Sequence, residues 1–229
     1  MLNTGLIKVV AFDADDTLWD CQSHFELVQQ RLYQLLSPWT DRAEEELIST
    51  ERANMADLGY GCKAFTLSVL ETALRVSHLQ IGTDALSELL ALGRQLLHLP
   101  ATPLPGVEQT LFALKGSYRM VVFTKGELQD QQNKLRRSGL EGYFDDVEIT
   151  SDKTQHEFLA LCRHQDIHPS QLLMVGNSLP SDIAPALAIG AQAVHIPFHV
   201  TWQLEHTDDF DHPRLVKLGT ITQLLPLLQ

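Results

Sequence analysis

Cysteine is scarce in this chain, with only Cys21, Cys62 and Cys162 among 229 residues. No two of them have C-x-x-C spacing, so the sequence supports neither a disulfide framework nor a thiolate zinc site. Reduced thiols are typical of the cytoplasm, and we expect a cytoplasmic protein.

Basic residues are also few. The 17 Lys and Arg residues face 29 Asp and Glu residues, and the formal net charge is -12. A strongly negative field repels nucleic acid and anionic lipid surfaces, so we expect neither as a partner. A small anionic substrate would have to be captured locally, by a metal ion or by a few well-placed cations.

Long hydrophobic runs are absent. The apolar stretch at Leu6–Phe12 is too short to span a membrane and is not followed by a signal-peptide cleavage region. Hydrophobic residues make up 44% of the chain and charged residues 20%, which is typical of folded soluble proteins. The sequence leaves the oligomeric state open.

Short apolar runs alternate with segments of helical periodicity along most of the chain. The runs predict strands at Leu6–Phe12, Met120–Thr124, Asp146–Thr150, Leu172–Gly176 and Ala193–Pro197. The periodic segments predict helices at Val107–Lys115, Glu127–Ser138, Thr154–His164 and Asp182–Ile189. This alternation indicates an α/β protein with a Rossmann-like parallel sheet that is covered by helices on both faces.

One interval breaks the alternation. Between residues 19 and 102 no strand-like run occurs, and four helical patterns follow one another at Gln22–Ser37, Asp41–Leu58, Lys63–Gln80 and Thr83–Leu99. We therefore predict a helical cap domain at 19–102, inserted into a core domain made of 1–18 and 103–229. The cap residues Trp19, His24 and Arg52 could contact a substrate, although most apolar positions of a bundle serve its packing.

Polar side chains follow the predicted strands, at the sheet edge where parallel α/β folds bind ligands. The first strand ends in Asp13 and Asp15, which project to the same side, so one carboxylate could attack an electrophile while the other moves a proton. A solvated turn explains the same pattern about equally well. Thr124 ends the second strand and could bind a phosphoryl oxygen, cap the next helix, or do both.

The later strands end in similar residues. Lys153 follows the third strand, and Asn177 and Asp182 follow the fourth, in the segment Gly-Asn-Ser-Leu-Pro-Ser-Asp. Side-chain oxygens of Asn and Asp suit Mg²⁺, although Asp182 could instead cap a helix. Lys125 could equally contact a substrate or lie in solvent. His195 and His199 do not have the spacing of a helix-borne or zinc-finger metal site.

The four polar sites, in the order Asp-x-Asp-x-Thr, Thr, Lys and Gly-Asn-Ser-x-x-x-Asp, resemble the motifs of the haloacid dehalogenase superfamily. The resemblance covers essentially the whole chain, because the helical insertion lies between the first and second motifs, as in members with a C1-type cap. Within the superfamily, the chain is most similar to small-molecule phosphatases. The dehalogenases that name the superfamily lack the second aspartate, so Asp15 favours phosphoryl transfer.

This resemblance implies a role for each matched residue. Asp13 would be the nucleophile that forms an aspartyl-phosphate, and Asp15 would protonate the leaving oxygen and then activate water. Thr124 and Lys153 would neutralise the charge of the phosphoryl group. The implied cofactor is Mg²⁺, held by Asp13, the backbone carbonyl of Asp15 and the fourth motif. The implied substrate is a small phosphorylated metabolite, and a closing cap would exclude water during the attack.

Asn177 departs from the family pattern, because it stands where an aspartate commonly binds the metal. An amide oxygen can bind Mg²⁺ but brings no charge, so we expect weaker metal binding unless Asp182 compensates. Asp182 could bind the metal directly, bind it through water, or act by holding Lys153. Two alternatives to a phosphatase remain at this point. One is dehalogenation of a haloacid, and the other is a binding or regulatory protein for a phosphorylated metabolite with an attenuated metal site.

Overall fold

Within residues 2–228, which the computed structural model describes, six parallel strands form one sheet. The strands are β1 (Val9–Phe12), β2 (Arg119–Lys125), β3 (Asp146–Thr150), β4 (Leu172–Gly176), β5 (Gln192–His195) and β6 (Leu215–Lys217). Their order across the sheet is β3-β2-β1-β4-β5-β6, which places β1 between β2 and β4. The predicted α/β fold with a parallel sheet is confirmed.

Helices cover both faces of this sheet, as the alternation of its side chains requires. They are α5 (Val107–Leu114), α6 (Leu128–Ser138), α7 (Gln155–His164), α8 (Ala184–Ala188) and α9 (Leu225–Leu228). Val10 and Phe12 of β1 pack in one apolar cluster with residues of α5, α6 and α9. Val9 and Ala11 face the other way and pack with α7 and α8. Because β1 is fully buried on both faces, its sequence is apolar throughout.

The chain divides into two units, Met1–Asp20 with Ala101–Gln229, and Cys21–Pro100. The predicted boundaries, after residues 18 and 102, lie within two residues of this division. The second unit consists of α1 (Gln22–Leu36), α2 (Ala43–Leu58), α3 (Cys62–Val76) and α4 (Thr83–Leu96). Within it, α2 packs on α3, α3 on α4 and α1 on α4 around an apolar core of its own.

Several predicted boundaries are wrong. The first strand begins at Val9 rather than Leu6, because Thr4–Leu6 forms a 3₁₀ turn. The third insertion helix ends at Val76 rather than Gln80, because His78 and Leu79 adopt left-handed backbone conformations with φ of 52° and 63°.

Two regions near the end of the chain also differ from the prediction. The helix expected at Asp182–Ile189 is a π-helical turn, Leu179–Ile183, followed by the short α8. Strand β6 was not predicted, because its three residues stand in a polar segment and form no apolar run.

The cysteines are free and buried. Among the helices of residues 2–228, none is long and apolar enough to cross a membrane.

Candidate active site

The candidate site begins where β1 ends. Phe12 pairs with Val122 of β2 and with Val175 of β4, so the next residues of the three strands reach the same edge of the sheet. The backbone N–H of Asp13 donates to the carbonyl of Val175 at 2.9 Å, which continues the ladder by one residue. The first and fourth motifs are therefore side by side because β1 and β4 are neighbours in the sheet.

Asp13, Lys153 and Asp182 form a buried ionic cluster at this edge. The Lys153 ammonium donates to Asp13 Oδ1 and, at 2.7 Å, to Asp182 Oδ1. Asp182 is fully buried and Lys153 is 3% exposed. Phe123 lies under the ammonium, with its ring centroid 5.5 Å from Nζ. Two carboxylates share one ammonium in this arrangement, which leaves an excess of negative charge away from water.

The electrostatics of the cluster follow from this imbalance. Burial, reinforced by the charge of Asp182, raises the pKa of Asp13 to about 7 although Lys153 opposes the shift. Burial alone would lower the pKa of Lys153, but the two carboxylates outweigh it and raise that pKa above its usual value. Lys153 is therefore a permanent cation, while the carboxylate of Asp13 gains from any further positive charge nearby.

Asp182 is held in place by the turn that follows β4. Its Oδ2 accepts a hydrogen bond from the backbone N–H of Ser178 at 3.0 Å. A Cβ atom at Gly176 would lie 2.2 Å from the same oxygen, so only glycine leaves room for this carboxylate. Asp182 does not cap a helix, since it is Ser178 whose hydroxyl accepts from the N–H of Ser181 at the start of the π-helical turn.

The side-chain amide of Asn177 lies among three oxygens. These are Oδ2 of Asp13, Oγ1 of Thr17 and the backbone carbonyl of Asp15, at 3.2, 3.1 and 3.3 Å. Two of the three can only accept hydrogen bonds, so the amide nitrogen rather than its oxygen must face them. The Thr17 hydroxyl then accepts from Asn177 and donates to Asp13 Oδ2 at 3.1 Å. Asn177 thereby links the first and fourth motifs.

This donor set fits a hard cation. A carboxylate oxygen of Asp13, the carbonyl of Asp15 and the side chain of Asn177 converge on one place, and all three can offer oxygen. Asn177 does so after its amide turns over, because the nitrogen now occupies the position that its oxygen would need. The excess negative charge of the ionic cluster favours a cation at the same point.

The carboxylate of Asp15 lies outside the ionic cluster and accepts hydrogen bonds from three side chains. Trp19 Nε1 donates to Oδ1 at 2.7 Å, and Gln131 Nε2 donates to Oδ2 at 2.9 Å. The Lys134 ammonium contacts both oxygens, at 2.8 and 2.6 Å. Burial opposes the charge on Asp15, but Lys134 and the two hydrogen-bond donors overcome it and hold the pKa of Asp15 below its usual value.

A tight turn brings Trp19 back to Asp15. Asp16 adopts a left-handed conformation with φ of 64°, and its N–H donates to the carbonyl of Trp19 at 2.7 Å. Trp19 is fully buried in the apolar core of the sheet unit. It was predicted as the first cap residue and a possible substrate contact, but its ring packs among core residues and its N–H is taken by Asp15.

Sequence reasoning missed Gln131 and Lys134. The available signal was their spacing on α6, where they share a face with Leu135 and would be expected to turn inward. A lysine on the apolar face of a helix needs a buried partner, and the Asp15 carboxylate is that partner here.

The remaining candidates lie apart from these contacts. Thr124 is buried at the end of β2, and its hydroxyl makes a long contact of 3.5 Å with the carbonyl of Lys125. It makes no hydrogen bond to the other five candidates among the described residues, and it does not cap α6. Lys125 is neither solvated nor free for a substrate, because its ammonium pairs with Glu205 and donates to Ser181 Oγ at 2.7 Å.

The histidines form no metal site at this edge. His195 Nε2 lies 2.9 Å from the carbonyl of Asn177, where it supports the loop. Among the His, Cys, Asp and Glu side chains of residues 2–228, the one group of three whose ligand atoms lie close together is Asp146, Glu148 and His164. Asp146 and Glu148 belong to β3 and His164 ends α7, and His164 already pairs with Glu148.

The parallel sheet and the ionic cluster at its carboxyl edge define a Rossmann-like α/β enzyme. The family model of haloacid dehalogenase-like hydrolases matches residues 7–190, and the chain belongs to this family. The expected family and the expected class of enzyme, a hydrolase, are thereby confirmed.

The chain is also similar, at modest sequence identity, to proteins whose names state an activity. The chain is 27% identical over 208 residues to a glyceraldehyde 3-phosphate phosphatase of Methanothermobacter thermautotrophicus, across 86% of this chain and 88% of that protein. It is 32% identical over 104 residues to the pyrimidine 5'-nucleotidase YjjG of Escherichia coli, which covers 43% of this chain and 46% of that one. A haloacid dehalogenase-like family hydrolase from Xanthomonas campestris has a similar solved structure, with a TM-score of 0.88, 30% identity and coverage of 97% and 92%.

Proposed function

We propose that this protein is a Mg²⁺-dependent phosphomonoester hydrolase that acts on a small phosphorylated metabolite through an aspartyl-phosphate at Asp13. The observation that carries the proposal is the separation of two carboxylates on one loop. Asp13 lies in the ionic cluster with Lys153, whereas Asp15 is held by other donors. In the metal-free protein these environments raise the pKa of Asp13 and lower that of Asp15, so Asp13 would need the positive charge of Mg²⁺ to attack as an anion and Asp15 would need to take up a proton as the substrate binds.

In the first half of the reaction, a carboxylate oxygen of Asp13 attacks phosphorus and the bond to the leaving oxygen breaks. Asp15, which has taken up a proton as the substrate binds, gives that proton to the leaving oxygen, so the product leaves as an alcohol. In the second half, Asp15 takes a proton from water as the water attacks the phosphorus of the aspartyl-phosphate. The bond to Asp13 breaks, inorganic phosphate forms, and both carboxyl groups return to their starting states.

The other residues neutralise the charge of the phosphoryl group and orient the reacting groups. Lys153 provides a fixed positive charge beside the attacking carboxylate, and Asp182 holds its ammonium in place. Asp13, the carbonyl of Asp15 and Asn177 would hold Mg²⁺, with Asp182 acting through Lys153. A bound Mg²⁺ supplies the positive charge that a phosphoryl group needs before an anion can approach it. Thr124, buried at the end of the neighbouring strand, would donate its hydroxyl to a phosphoryl oxygen.

The names of the relatives support a small substrate. One is a phosphatase of glyceraldehyde 3-phosphate and another a nucleotidase of pyrimidine 5'-nucleotides. At 27% identity, the first relative supports the hydrolysis of a phosphate ester but does not identify the substrate. We therefore propose the class of small soluble phosphomonoesters and include both named substrates in the test.

The test is phosphate release from an aryl phosphate and from a panel of small phosphorylated metabolites, with Mg²⁺ and with a chelator. Wild-type protein should release phosphate only with the metal, and Asp13→Asn should release none. Asp16→Asn is the matched control, because it removes a carboxylate from the same loop and asparagine tolerates the left-handed conformation at that position.

Trapping the intermediate gives an independent readout. Rapid acid quench with labelled substrate should leave label on the wild-type protein and on Asp16→Asn, but not on Asp13→Asn. Halide release from a 2-haloacid without phosphate release would instead show a dehalogenase. Binding of a phosphate analogue without any turnover would favour a binding or regulatory protein.

A further inference from the structure

We propose that Glu205 is a specificity-determining residue that directs the protein toward phosphomonoesters without a second anionic group, an inference that rests on the proposed function. Glu205 belongs to none of the four motifs. It ends a 3₁₀ turn, Gln203–Glu205, in the long loop between β5 and β6, and its carboxylate pairs with the ammonium of Lys125. The pair joins residues that are 80 positions apart in the sequence.

Lys125 lies beside the groups to which the reaction is assigned. It is the last residue of β2 and follows Thr124, and its backbone carbonyl accepts, at 2.9 Å, from the same amide nitrogen that donates to Asp15 Oδ2. Its ammonium donates to Oγ of Ser181 at 2.7 Å, on the turn that carries Asp182. An ammonium in this position could bind a carboxylate or phosphate on the organic part of a substrate if Glu205 did not already hold it.

Glu205 holds this ammonium from a fixed position. The Ser181 hydroxyl accepts from Lys125 and donates to Glu205 Oε1 at 2.8 Å, so the three side chains contact one another. The backbone N–H of Glu205 donates to the carbonyl of Trp202 at 2.9 Å. The side chains of Lys125 and Glu205 are only 15% and 16% exposed. A carboxylate that is already in place has the advantage over an anion from solution, because it does not have to be recruited.

The consequence concerns the part of the substrate beyond the phosphate. The three ammonium groups placed at this edge, those of Lys125, Lys134 and Lys153, each lie against a carboxylate. A second anionic group on a substrate would therefore have to displace Glu205 or lie against it, and like charges at close range lower affinity. A neutral hydroxyl in the same position does not carry this penalty.

The experiment uses two ligands with the same carbon skeleton, glycerol 3-phosphate, which ends in a hydroxymethyl group, and 3-phosphoglycerate, which ends in a carboxylate. Each is measured as a competitive inhibitor of p-nitrophenyl phosphate hydrolysis, so the comparison does not require that either be turned over. Wild-type protein should bind glycerol 3-phosphate at least about ten-fold more tightly than 3-phosphoglycerate. In Glu205→Gln this preference should fall about ten-fold, because 3-phosphoglycerate gains the ammonium of Lys125.

Asp209→Asn is the matched control. It removes a carboxylate from the same loop, one that pairs with Lys217 at 2.8 Å, and should leave the preference at its wild-type value. Lys125→Gln keeps the test valid if Glu205→Gln does not fold, because it removes the cation instead and should strengthen the preference for glycerol 3-phosphate. A residue that served only to stabilise the loop would weaken the binding of both ligands, whereas here Glu205→Gln should increase the affinity for the carboxylate ligand.

The outcomes separate the two proposals. Wild-type protein that releases phosphate from no ester would overturn the proposed function and this inference with it. Active wild-type protein that binds neither ligand or both equally, or a preference that is unchanged in Glu205→Gln and Lys125→Gln, would overturn the inference alone. Tighter binding of 3-phosphoglycerate by wild type would also overturn it, since the ligand would then displace Glu205 from Lys125.

Discussion

The carboxylate of Asp182 lies in the space that a side chain at Gly176 would need: a Cβ atom at position 176 would lie 2.2 Å from Oδ2 of Asp182. The glycine is therefore a condition for the Asp182–Lys153 contact and, through it, for the position of Lys153 beside Asp13. The atoms that such a Cβ would meet belong to the side chain of Asp182, and its carboxylate cannot move aside without losing its contacts with Lys153 and with the N–H of Ser178.

Gly176→Ala should displace the Asp182 carboxylate. We expect a loss of stability of about 1–3 kcal/mol, because a buried charge pair is disturbed, and a fall in phosphatase activity of at least about 100-fold. Thermal unfolding and phosphate release measure the two effects. Gly142→Ala is the matched control, since a Cβ atom there meets nothing within 4 Å. Equal behaviour of the two variants would contradict the crowding.

Asp13→Asn should stabilise the metal-free protein at neutral and alkaline pH. The folded pKa of Asp13, about 7, is above its unfolded value of 3.8, so the folded state binds the proton more tightly. Stability from this group is fully present below pH 3.8 and declines as pH rises toward 7, a decline that asparagine does not share.

Melting temperatures in chelator between pH 4 and pH 8 test this expectation. At pH 8 the melting temperature of Asp13→Asn should be several degrees above that of wild type, since each kcal/mol of stability corresponds to roughly 2–4 °C. At pH 4 the two melting temperatures should be nearly equal. Asp16→Asn is the control and should follow wild type. A variant that melts below wild type at pH 8 would refute the prediction.

Asn177→Asp should lower the stability of the metal-free protein and raise its affinity for Mg²⁺. A third carboxylate would face Oδ2 of Asp13 and the carbonyl of Asp15, which are acceptors, so the metal-free protein should lose about 1–3 kcal/mol. Because of the added negative charge, the affinity for Mg²⁺ should rise at least about ten-fold.

Titration calorimetry with Mg²⁺ measures the affinity without reference to turnover. Asn133→Asp, which adds the same charge on α6 beside Arg136, should leave the affinity unchanged. An unchanged affinity in Asn177→Asp would remove position 177 from the proposed metal site.

Glu205→Gln should destabilise the loop that follows β5. Burial opposes ionisation of Glu205, but Lys125 and Ser181 hold its pKa below the usual value. The stabilisation is present above the unfolded pKa of 4.5 and is lost as pH falls through the lower folded value.

The Glu205→Gln variant should therefore melt below wild type at pH 7, by about 1–3 kcal/mol in unfolding free energy, and the difference should shrink below about pH 4. The exposed Glu141→Gln variant is the control. A difference that is constant with pH would argue against the ion pair as its cause.

Much of the fold followed from local patterns. The runs that became β1, β2, β4 and β5 are mainly apolar because strands of a covered parallel sheet are buried on both faces, whereas β3, at the edge of the sheet, has no fully buried residue. β6 escaped prediction because its three residues have no apolar periodicity, and the π-helical turn at Leu179–Ile183 because its geometry follows from the Asp182 contacts.

The sequence by itself determined the family, the parallel sheet and the polar residues at its carboxyl edge, because strand periodicity and motif order are local properties of the chain. Only the tertiary structure decided which partner each polar group has. Lys134 meets Asp15 across 119 positions, Lys125 meets Glu205 across 80, and the amide of Asn177 turns its nitrogen toward Asp13. Such pairs depend on which elements become neighbours and which charges lose their water, and no local pattern of residues records that.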